Sequence, residues 1–288
     1  MVAGHGRAKC TLPLTSIEMS VALPCQAGRA PVSGASHAGH PYGDGGGQGE
    51  LSTLPLTLND RLNRMSSSHA RSRSVIDFSL YLITDRRVTG GVPLPDAVGT
   101  ALTGAGSAGG GCAVQLREKD LPTRELLELA LRVRDRATAA GARLLINDRV
   151  DLCWASGADG VQLRTDSLPT PVVRRLLGES RLIGVSVHSL DEAVRAEAEG
   201  ADFVLFGPVY ETPSKSAFGP PQGLGRLTEV TARLRIPVFA VGGVTAARVP
   251  ELRRVGARGA GVISAVFGAD DIARAAEALQ HALYMVKS

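Results

Sequence analysis

After Leu80, short apolar runs alternate regularly with stretches of helical pattern, and this alternation limits the fold more than any other feature. The apolar runs are LYLIT, AVQLR, RLLIN, GVQL, LIGVS, FVLF, VFAV and GAGVI, and stretches such as TRELLELALRVRDRATAAG separate them. Eight strands with intervening helices in about 210 residues predict an α/β fold, a closed (β/α)8 TIM barrel. A doubly wound open sheet is the alternative.

Glycines mark the expected ends of several helices. They are Gly141, Gly157, Gly200 and Gly256, each at the point where a helical stretch should stop. Glycine is the usual residue just after a helix C-terminus, because it adopts the left-handed backbone conformation without strain. The tripeptide Gly-Ala-Asp occurs at 157–159 and again at 200–202, each time before a strand. The chain therefore repeats one unit in which a helix stops and a strand starts.

Residues 1–75 differ from the rest of the chain in composition. They are rich in Gly, Ser, Ala, Pro and His and have neither helical nor strand periodicity, which predicts a disordered low-complexity extension before a barrel domain at 76–288. The opening residues lack the continuous apolar segment of a secretory signal, and a degenerate targeting peptide is the alternative. Met65 is a candidate natural start, with the upstream residues then an artefact of the gene model.

Composition excludes two classes of partner. The net charge of +4 comes from Lys and Arg scattered among acidic residues, and only 4% of the chain is aromatic, so a nucleic-acid surface is not expected. No apolar run reaches the length of a membrane helix. The four cysteines show no zinc spacing, which predicts reduced thiols in a cytoplasmic protein, with Cys112 and Cys153 as small core residues. The oligomeric state stays open, a homo-oligomer included.

Polar side chains follow the predicted strands at their carboxyl ends. In VQLREKD, strand alternation places Gln115, Arg117 and Lys119 on one face. An ordinary half-exposed antiparallel strand is the alternative for this segment. The carboxyl ends of barrel strands meet at one mouth, where barrel enzymes have their active sites. The other strand ends add to this mouth Asn147, Asp148, Gln162, Asp166, Ser186, His188, Gly242, Gly243 and Ser264.

Two of the strand ends are typical of a phosphate site. AVGGV and GVISA end the seventh and eighth strands, and each precedes a helical stretch. Glycine lets the backbone approach an anion closely, and a helix N-terminus presents N–H groups with partial positive charge. The pair of turns therefore predicts a phosphate site, with a plain tight turn at Gly242 and Gly243 as the alternative.

Three further features of the mouth have more than one interpretation. Asp148 either neutralises nearby cations or holds Mg²⁺ against phosphate oxygens, unless it caps the next helix. The long loop GPVYETPSKSAFGPPQG carries Thr212, Ser214 and Lys215, which suit a phosphate-binding lid or are surface decoration. His188 is either an acid–base group or a hydrogen-bonded positioning residue.

The ordered motifs resemble a known superfamily. YLITD, VQLREKD, LINDRVDLCWASGADGV, IGVSVHSLDEA, GADFVLFGPVYETPSK, PVFAVGGV and GVISAV, over roughly residues 79–285, are similar to the thiamine phosphate synthase/TenI superfamily. The resemblance implies a transferase of thiamine biosynthesis with Mg²⁺ as cofactor. Such an enzyme joins hydroxymethylpyrimidine diphosphate to thiazole phosphate and releases pyrophosphate, by a dissociative step that needs charge stabilisation and positioning.

The resemblance also implies roles for individual residues. Arg117, Lys119, Asn147 and Lys215 would hold the diphosphate, Gln115 the pyrimidine, and Asp148 the metal. Ser186 would lie near the reacting centre, Thr212 and Ser214 would supply lid hydroxyls, and Gly243, Ile263 and Ser264 would bind the thiazole phosphate. The catalytic set is then Ser186, Lys215 and His188.

One motif departs from the pattern of the synthases. In GVQLRTDSLP, Gln162 stands where they usually have His, Arg164-Thr165 where they have Gly-Gln, and Ser167 where they have a second metal Asp. The carboxylate here is Asp166, one residue early, which is taken as the second metal ligand. The altered motif leaves two alternatives to the synthase: a TenI-type thiazole tautomerase with His188 as proton carrier, or a non-catalytic binder of phosphate ligands.

Overall fold

A closed barrel of eight parallel strands forms the centre of the computed structural model, which describes residues 75–212 and 220–285. The strands are β1 (Leu80–Ile83), β2 (Cys112–Leu116), β3 (Arg143–Asn147), β4 (Gly160–Leu163), β5 (Leu182–Val187), β6 (Phe203–Phe206), β7 (Val238–Val241) and β8 (Gly259–Val262). They pair in chain order, and β1 pairs with β8 through Leu80 opposite Ala260. The (β/α)8 prediction is confirmed, and the open sheet is wrong because its edges are joined.

Helices follow the strands and cover the outside of the barrel. They are α1 (Leu94–Ser107), α2 (Thr123–Ala139), α3 (Val150–Ser156), α4 (Thr170–Leu177), α5 (Leu190–Ala198), α6 (Gly223–Arg233), α7 (Val249–Arg254), α8 (Ser264–Phe267) and α9 (Ile272–Met285). The predicted glycine stops are confirmed, because Gly141, Gly157, Gly200 and Gly256 all have positive φ angles. No helix of the described ranges is long and apolar enough to cross a membrane.

Strand alternation divides the core into two layers. One face of each strand packs against the helices, and the other fills the barrel interior. Four rings, those of Phe78, Tyr81, Phe203 and Phe239, occupy the interior with centroids 5.1 to 6.3 Å apart. The barrel is therefore closed by packed side chains below its mouth, and a ligand can enter only from the carboxyl ends of the strands.

Some of the predicted features lie outside the described residues. These are residues 1–74 of the predicted extension, with Met65, and the lid residues Ser214 and Lys215. Within the described part, Cys153 is buried and Cys112 half-buried, as predicted for small core residues.

Burial raises the pKa of both thiols to about 12. Only the thiolate is nucleophilic, so about one in ten thousand of these groups is ionised at about pH 8. We expect iodoacetamide to leave Cys112 and Cys153 unmodified in the native protein and to alkylate both after unfolding in guanidinium chloride. Peptide mass spectrometry measures each site, and rapid native alkylation of either cysteine would contradict its assignment to the core.

Candidate active site

The mouth of the barrel holds a cavity of about 630 Å³. Most of the predicted site residues line it: Gln115, Arg117, Lys119, Asn147, Asp166, Ser186, His188, Thr212, Gly243, Ile263 and Ser264. A second cavity of about 330 Å³ adjoins it and is lined by Asp148. Lys119, Asn147 and Arg164 line both cavities. The interpretation of residues 111–120 as a half-exposed antiparallel strand is wrong, because β2 pairs in parallel on both sides.

A layer of hydrogen-bonded polar side chains forms the floor of the larger cavity. Gln115 Nε2 donates to Asn147 Oδ1 at 3.0 Å, and Gln162 Nε2 donates to Ser186 Oγ at 3.1 Å. The Tyr81 hydroxyl donates to Gln162 Oε1 at 3.2 Å from below. Gln115 Oε1 is buried and has no hydrogen-bond partner. A buried acceptor without a partner is costly, so this oxygen suits a donor group on a ligand.

Cations form one wall of the mouth. Arg117, Lys119 and Arg164 line the larger cavity together. Burial lowers the pKa of Arg117, and the positive charge of Arg164 acts in the same direction. Arg117 stays protonated because its reference pKa is so high. A half-buried guanidinium beside another positive charge favours an anion in this cavity.

Glu118 organises the loop that carries two of these cations, although strand alternation places it away from them. Its carboxylate is buried and accepts from Thr84 Oγ1 at 2.7 Å, from the Arg86 backbone N–H at 3.2 Å and from Arg86 Nη1 at 3.1 Å. Thr84 Oγ1 in turn accepts from the Arg117 backbone N–H at 2.9 Å. Sequence reasoning missed this residue, because its partners come from the loop after β1.

We expect Glu118→Gln to lower the free energy of unfolding by about 1–3 kcal/mol, the usual cost of leaving a buried polar group without its partner. The amide keeps the volume but turns an NH₂ group toward donors. Denaturant unfolding measures the change, with Glu128→Gln on the exposed face of α2 as the matched control. Equal stability of the two variants would show that the Glu118 contacts contribute nothing.

Glycine is required at the turn after β7 by the close approach of the β6 loop. Gly242 and Gly243 have φ angles of 93° and 64°. A Cβ atom on Gly243 would lie 2.6 Å from the Glu211 carbonyl oxygen and 2.8 Å from Tyr210 Cβ. Gly243 is therefore needed both for the backbone conformation of the turn and for its close packing against the β6 loop. The start of α8 at Ser264 also lines the cavity.

Contacts with the next helix fasten the β6 loop to this turn. The Arg248 guanidinium lies 4.4 Å from the centre of the Tyr210 ring and donates to the Gly243 carbonyl oxygen at 2.5 Å. The Tyr210 hydroxyl donates to Glu251 Oε1 at 2.6 Å. Burial raises the pKa of this phenol, and the bond to Glu251 raises it further. The hydroxyl therefore stays protonated and the fastening persists across the physiological pH range.

Asp148 and Asp166 have different partners. Asp148 has a φ angle of 63° and accepts a short hydrogen bond from Ser167 Oγ. The N-cap of α3 is Arg149, so the interpretation of Asp148 as a helix cap is wrong. Asp166 Oδ2 accepts from Arg164 Nη2 at 2.7 Å, and its side chain is 69% exposed. Ser167, and not Asp166, is thus the fourth-loop residue in contact with Asp148.

His188 is held by its loop in one orientation. Its Nδ1 lies 2.5 Å from the Gly207 carbonyl oxygen, which can only accept, so Nδ1 carries the proton. Its backbone N–H donates to Glu192 Oε2 at 2.7 Å, and Ser189 caps α5. These contacts suit the positioning interpretation of His188.

The comparison with family models decides the family. The model TMP-TENI, described as thiamine monophosphate synthase, matches residues 80–266, which span β1 to the start of α8.

The chain belongs to the thiamine monophosphate synthase family.

Two relatives and one solved structure match this chain over almost their whole length. A protein of Geobacter sulfurreducens, provisionally named thiamine-phosphate synthase, is 53% identical over 71% of this chain and 93% of its own. The thiamine-phosphate synthase of Methanoculleus marisnigri is 42% identical over 73% of this chain and 98% of its own. Among solved structures, thiamine phosphate pyrophosphorylase from Pyrococcus furiosus superposes with a TM-score of 0.65. It is 36% identical and covers 73% of this chain and 98% of its own.

Of the two carboxylates predicted as magnesium ligands, Asp166 pairs with Arg164 and Asp148 is contacted by Ser167. No cluster of three or more His, Cys, Asp or Glu residues occurs in the ranges 75–212 and 220–285. Asp148 adjoins the cations and Asn147 at the mouth, and only one of its oxygens is engaged by Ser167. Mg²⁺ in proteins is commonly bound by one or two carboxylates, and substrate phosphates and waters complete its coordination. The residues present therefore fit a magnesium ion that binds together with a diphosphate.

Proposed function

We propose that the chain is a thiamine phosphate synthase, a transferase that joins hydroxymethylpyrimidine diphosphate to thiazole phosphate and releases pyrophosphate. The observation that carries the proposal is that one cavity is lined by cations that follow β2 and β4 and by a glycine-rich turn and a helix start that follow β7 and β8, on the other side of the closed barrel. Two phosphorylated substrates can therefore lie with their unphosphorylated ends facing each other above the polar floor. The names of the relatives and the family match support the same reaction.

The pyrimidine diphosphate is assigned to the side formed by β2 and β3. Gln115 Oε1, which is buried without a partner, accepts from the amino group of the pyrimidine. Arg117, Lys119 and Asn147 bind the diphosphate, with Lys215 of the lid as a further cation. Thr212 and Ser214 donate hydroxyl groups from the same lid. Charged hydrogen bonds of this kind are stronger than neutral ones and also fix orientation.

The thiazole phosphate is assigned to the opposite wall. Backbone N–H groups of Gly243 and of Ile263 and Ser264 at the start of α8 bind its phosphate. A side chain on Gly243 would press against the Glu211 carbonyl oxygen and Tyr210 Cβ, so the turn could not keep this position. The ring nitrogen of the thiazole then faces the pyrimidine methylene carbon across the floor at Ser186.

The chain's residues promote the reaction by positioning and by stabilising charge. The bond between the methylene carbon and the diphosphate oxygen breaks with its electron pair leaving on pyrophosphate. The thiazole nitrogen supplies the pair for the new C–N bond. Arg117 and Lys119 stabilise the charge on the leaving group, and Ser186 and the Gln162 amide hold the floor on which the cation-like pyrimidine lies. Asp148 would hold a magnesium ion, which would supply neutralisation of the phosphate charge. His188 positions the β6 loop through Gly207.

The test is pyrophosphate release by the purified protein given both substrates, with Mg²⁺ and with EDTA. We expect Mg²⁺-dependent release, together with one thiamine phosphate formed for each pyrophosphate. Isomerisation of a thiazole carboxylate phosphate without metal would assign the chain to the tautomerase class. If the protein binds thiazole phosphate and catalyses neither reaction, the chain is a non-catalytic binder of phosphate ligands.

A further inference from the structure

Arg164, the first residue after β4, lies between the two cavities of the mouth. It lines both cavities, and only Lys119 and Asn147 share that position among the described residues. Its side chain is 38% exposed, yet its Nε–H is buried and has no hydrogen-bond partner. A buried donor without a partner is unfavourable, and a charged one more so. The Nε–H group has no acceptor in the protein, and a ligand in the cavity can supply one.

The partner that Arg164 does have is weakly held. Nη2 donates to Asp166 Oδ2 at 2.7 Å, and Asp166 is two residues away in the same loop and 69% exposed. Ion pairs this exposed contribute little in water. A diphosphate with several charged oxygens can therefore replace the Asp166 carboxylate.

The backbone at Arg164 is held in place independently of its side chain. The Arg164 N–H donates to Ser167 Oγ at 2.8 Å, and the same hydroxyl donates to Asp148. The Ser167 N–H donates back to the Arg164 carbonyl oxygen at 3.2 Å. These contacts fix the start of the guanidinium side chain next to the carboxylate assigned to magnesium.

The cavity that Arg164 lines carries further positive charge. Arg117 and Lys119 line the same cavity. Burial lowers the pKa of Arg117, the negative charge of Asp85 raises it, and the positive charge of Arg164 lowers it. Guanidinium groups bind phosphate oxygens through two parallel N–H donors, and Nε with one Nη forms such a pair.

We propose that Arg164 is a further pyrophosphate-binding residue, which takes the leaving group through Nε–H after the diphosphate replaces Asp166. The proposal rests on the proposed synthase function for the identity of the anion. In this arrangement Asp166 is a counterion that keeps the guanidinium near the cavity until the substrate arrives. The fourth loop then supplies a positive charge to the diphosphate directly.

Calorimetric titration with inorganic pyrophosphate in EDTA tests the site without turnover. We expect Arg164→Ala to raise the Kd for pyrophosphate about 10- to 100-fold, the range for losing hydrogen bonds to a charged group. The Kd for thiazole phosphate should not change, because its site lies on the opposite wall. Arg164→Lys keeps the charge without the two-donor geometry, and we expect an intermediate Kd. Thermal melting of each variant shows that the barrel is intact.

Two further variants sharpen the result. Arg175→Ala removes the same charge from the exposed side of α4 and should bind pyrophosphate as the unsubstituted protein does. Asp166→Asn removes the competing carboxylate, and we expect the Kd for pyrophosphate in EDTA to fall about two- to fivefold. Weaker pyrophosphate binding in Asp166→Asn under these conditions would contradict the counterion role.

The outcomes separate this inference from the proposed function. The inference is overturned if Arg164→Ala binds pyrophosphate as tightly as the unsubstituted protein. It is also overturned if Arg175→Ala loses as much affinity for pyrophosphate as Arg164→Ala, even where thiamine phosphate is formed. Absence of any pyrophosphate binding by the unsubstituted protein also overturns it. Arg164-dependent pyrophosphate binding in a protein that forms no thiamine phosphate supports the anion site and rejects the transferase.

Discussion

Asp148→Asn is expected to lower kcat/KM for thiamine phosphate formation by about 100- to 1,000-fold, the usual loss when one electrostatic contribution to a transition state is removed. The carboxylate at 148 is the one metal ligand that the proposal assigns, and an amide is a much poorer ligand for Mg²⁺ than a carboxylate. Steady-state kinetics over a series of Mg²⁺ concentrations measures the change. We expect the concentration of Mg²⁺ that gives half-maximal rate to rise as well.

The choice of Asn keeps the structural role of the residue. Position 148 has a φ angle of 63°, a conformation that Asn tolerates well among residues with a side chain. Its Oδ1 can still accept from Ser167 Oγ, so the melting temperature should change little. Asp151→Asn is the matched control, because Asp151 is 61% exposed and pairs with Arg149 on the outside of α3. Full activity of Asp148→Asn at every Mg²⁺ concentration would show that this carboxylate holds no essential metal.

Gly243→Ala is expected to raise KM for thiazole phosphate about 100-fold, because small displacements of a positioning group cost about that factor. The added Cβ would lie 2.6 Å from the Glu211 carbonyl oxygen and 2.8 Å from Tyr210 Cβ. Either the turn or the β6 loop must move, and both line the mouth. Steady-state kinetics with thiazole phosphate as the varied substrate measures the effect, and calorimetry measures its Kd directly.

Gly141→Ala separates this effect from backbone strain. Gly141 has a φ angle of 65°, almost that of Gly243, and a Cβ there would meet no atom within 4 Å. Alanine in the left-handed region costs about 1–2 kcal/mol, so both variants should lose at least that much stability. Only Gly243→Ala should also lose affinity for thiazole phosphate. Equal KM values in the two variants would remove Gly243 from the proposed phosphate site.

Much of the architecture could be predicted from the residues alone. The eight apolar runs became eight strands, and the glycines at 141, 157, 200 and 256 all ended helices. Alternation within VQLREKD correctly assigned Gln115, Arg117 and Lys119 to the cavity. These predictions held because strand and helix periodicity are local properties of the chain. Closure of the sheet then collects the strand ends at one mouth whatever the loops contain.

Contacts between the loops could not be predicted in the same way. Glu118 lies two residues beyond β2, where strand alternation would turn it away from Arg117 and Lys119. Its role comes from contacts with Thr84 and Arg86 in the loop after β1. The order of residues in RTDS suggested Asp166 as the partner of Asp148 in a metal site. In the structure Ser167 contacts Asp148, while Asp166 pairs with Arg164. A shift of one residue in a loop changes which side chain faces the site, and no period fixes it.

The sequence by itself determined the barrel, the end of the barrel that is polar, and the family to which the motifs belong. Only the tertiary structure decided which polar groups are engaged with one another and which are left for a ligand. Arg164 Nε and Gln115 Oε1 illustrate the difference, since both are buried without a partner in the described part of the chain. Whether a buried polar atom has a hydrogen-bond partner depends on distances between segments that are far apart in the chain. Those distances are set only when the barrel closes.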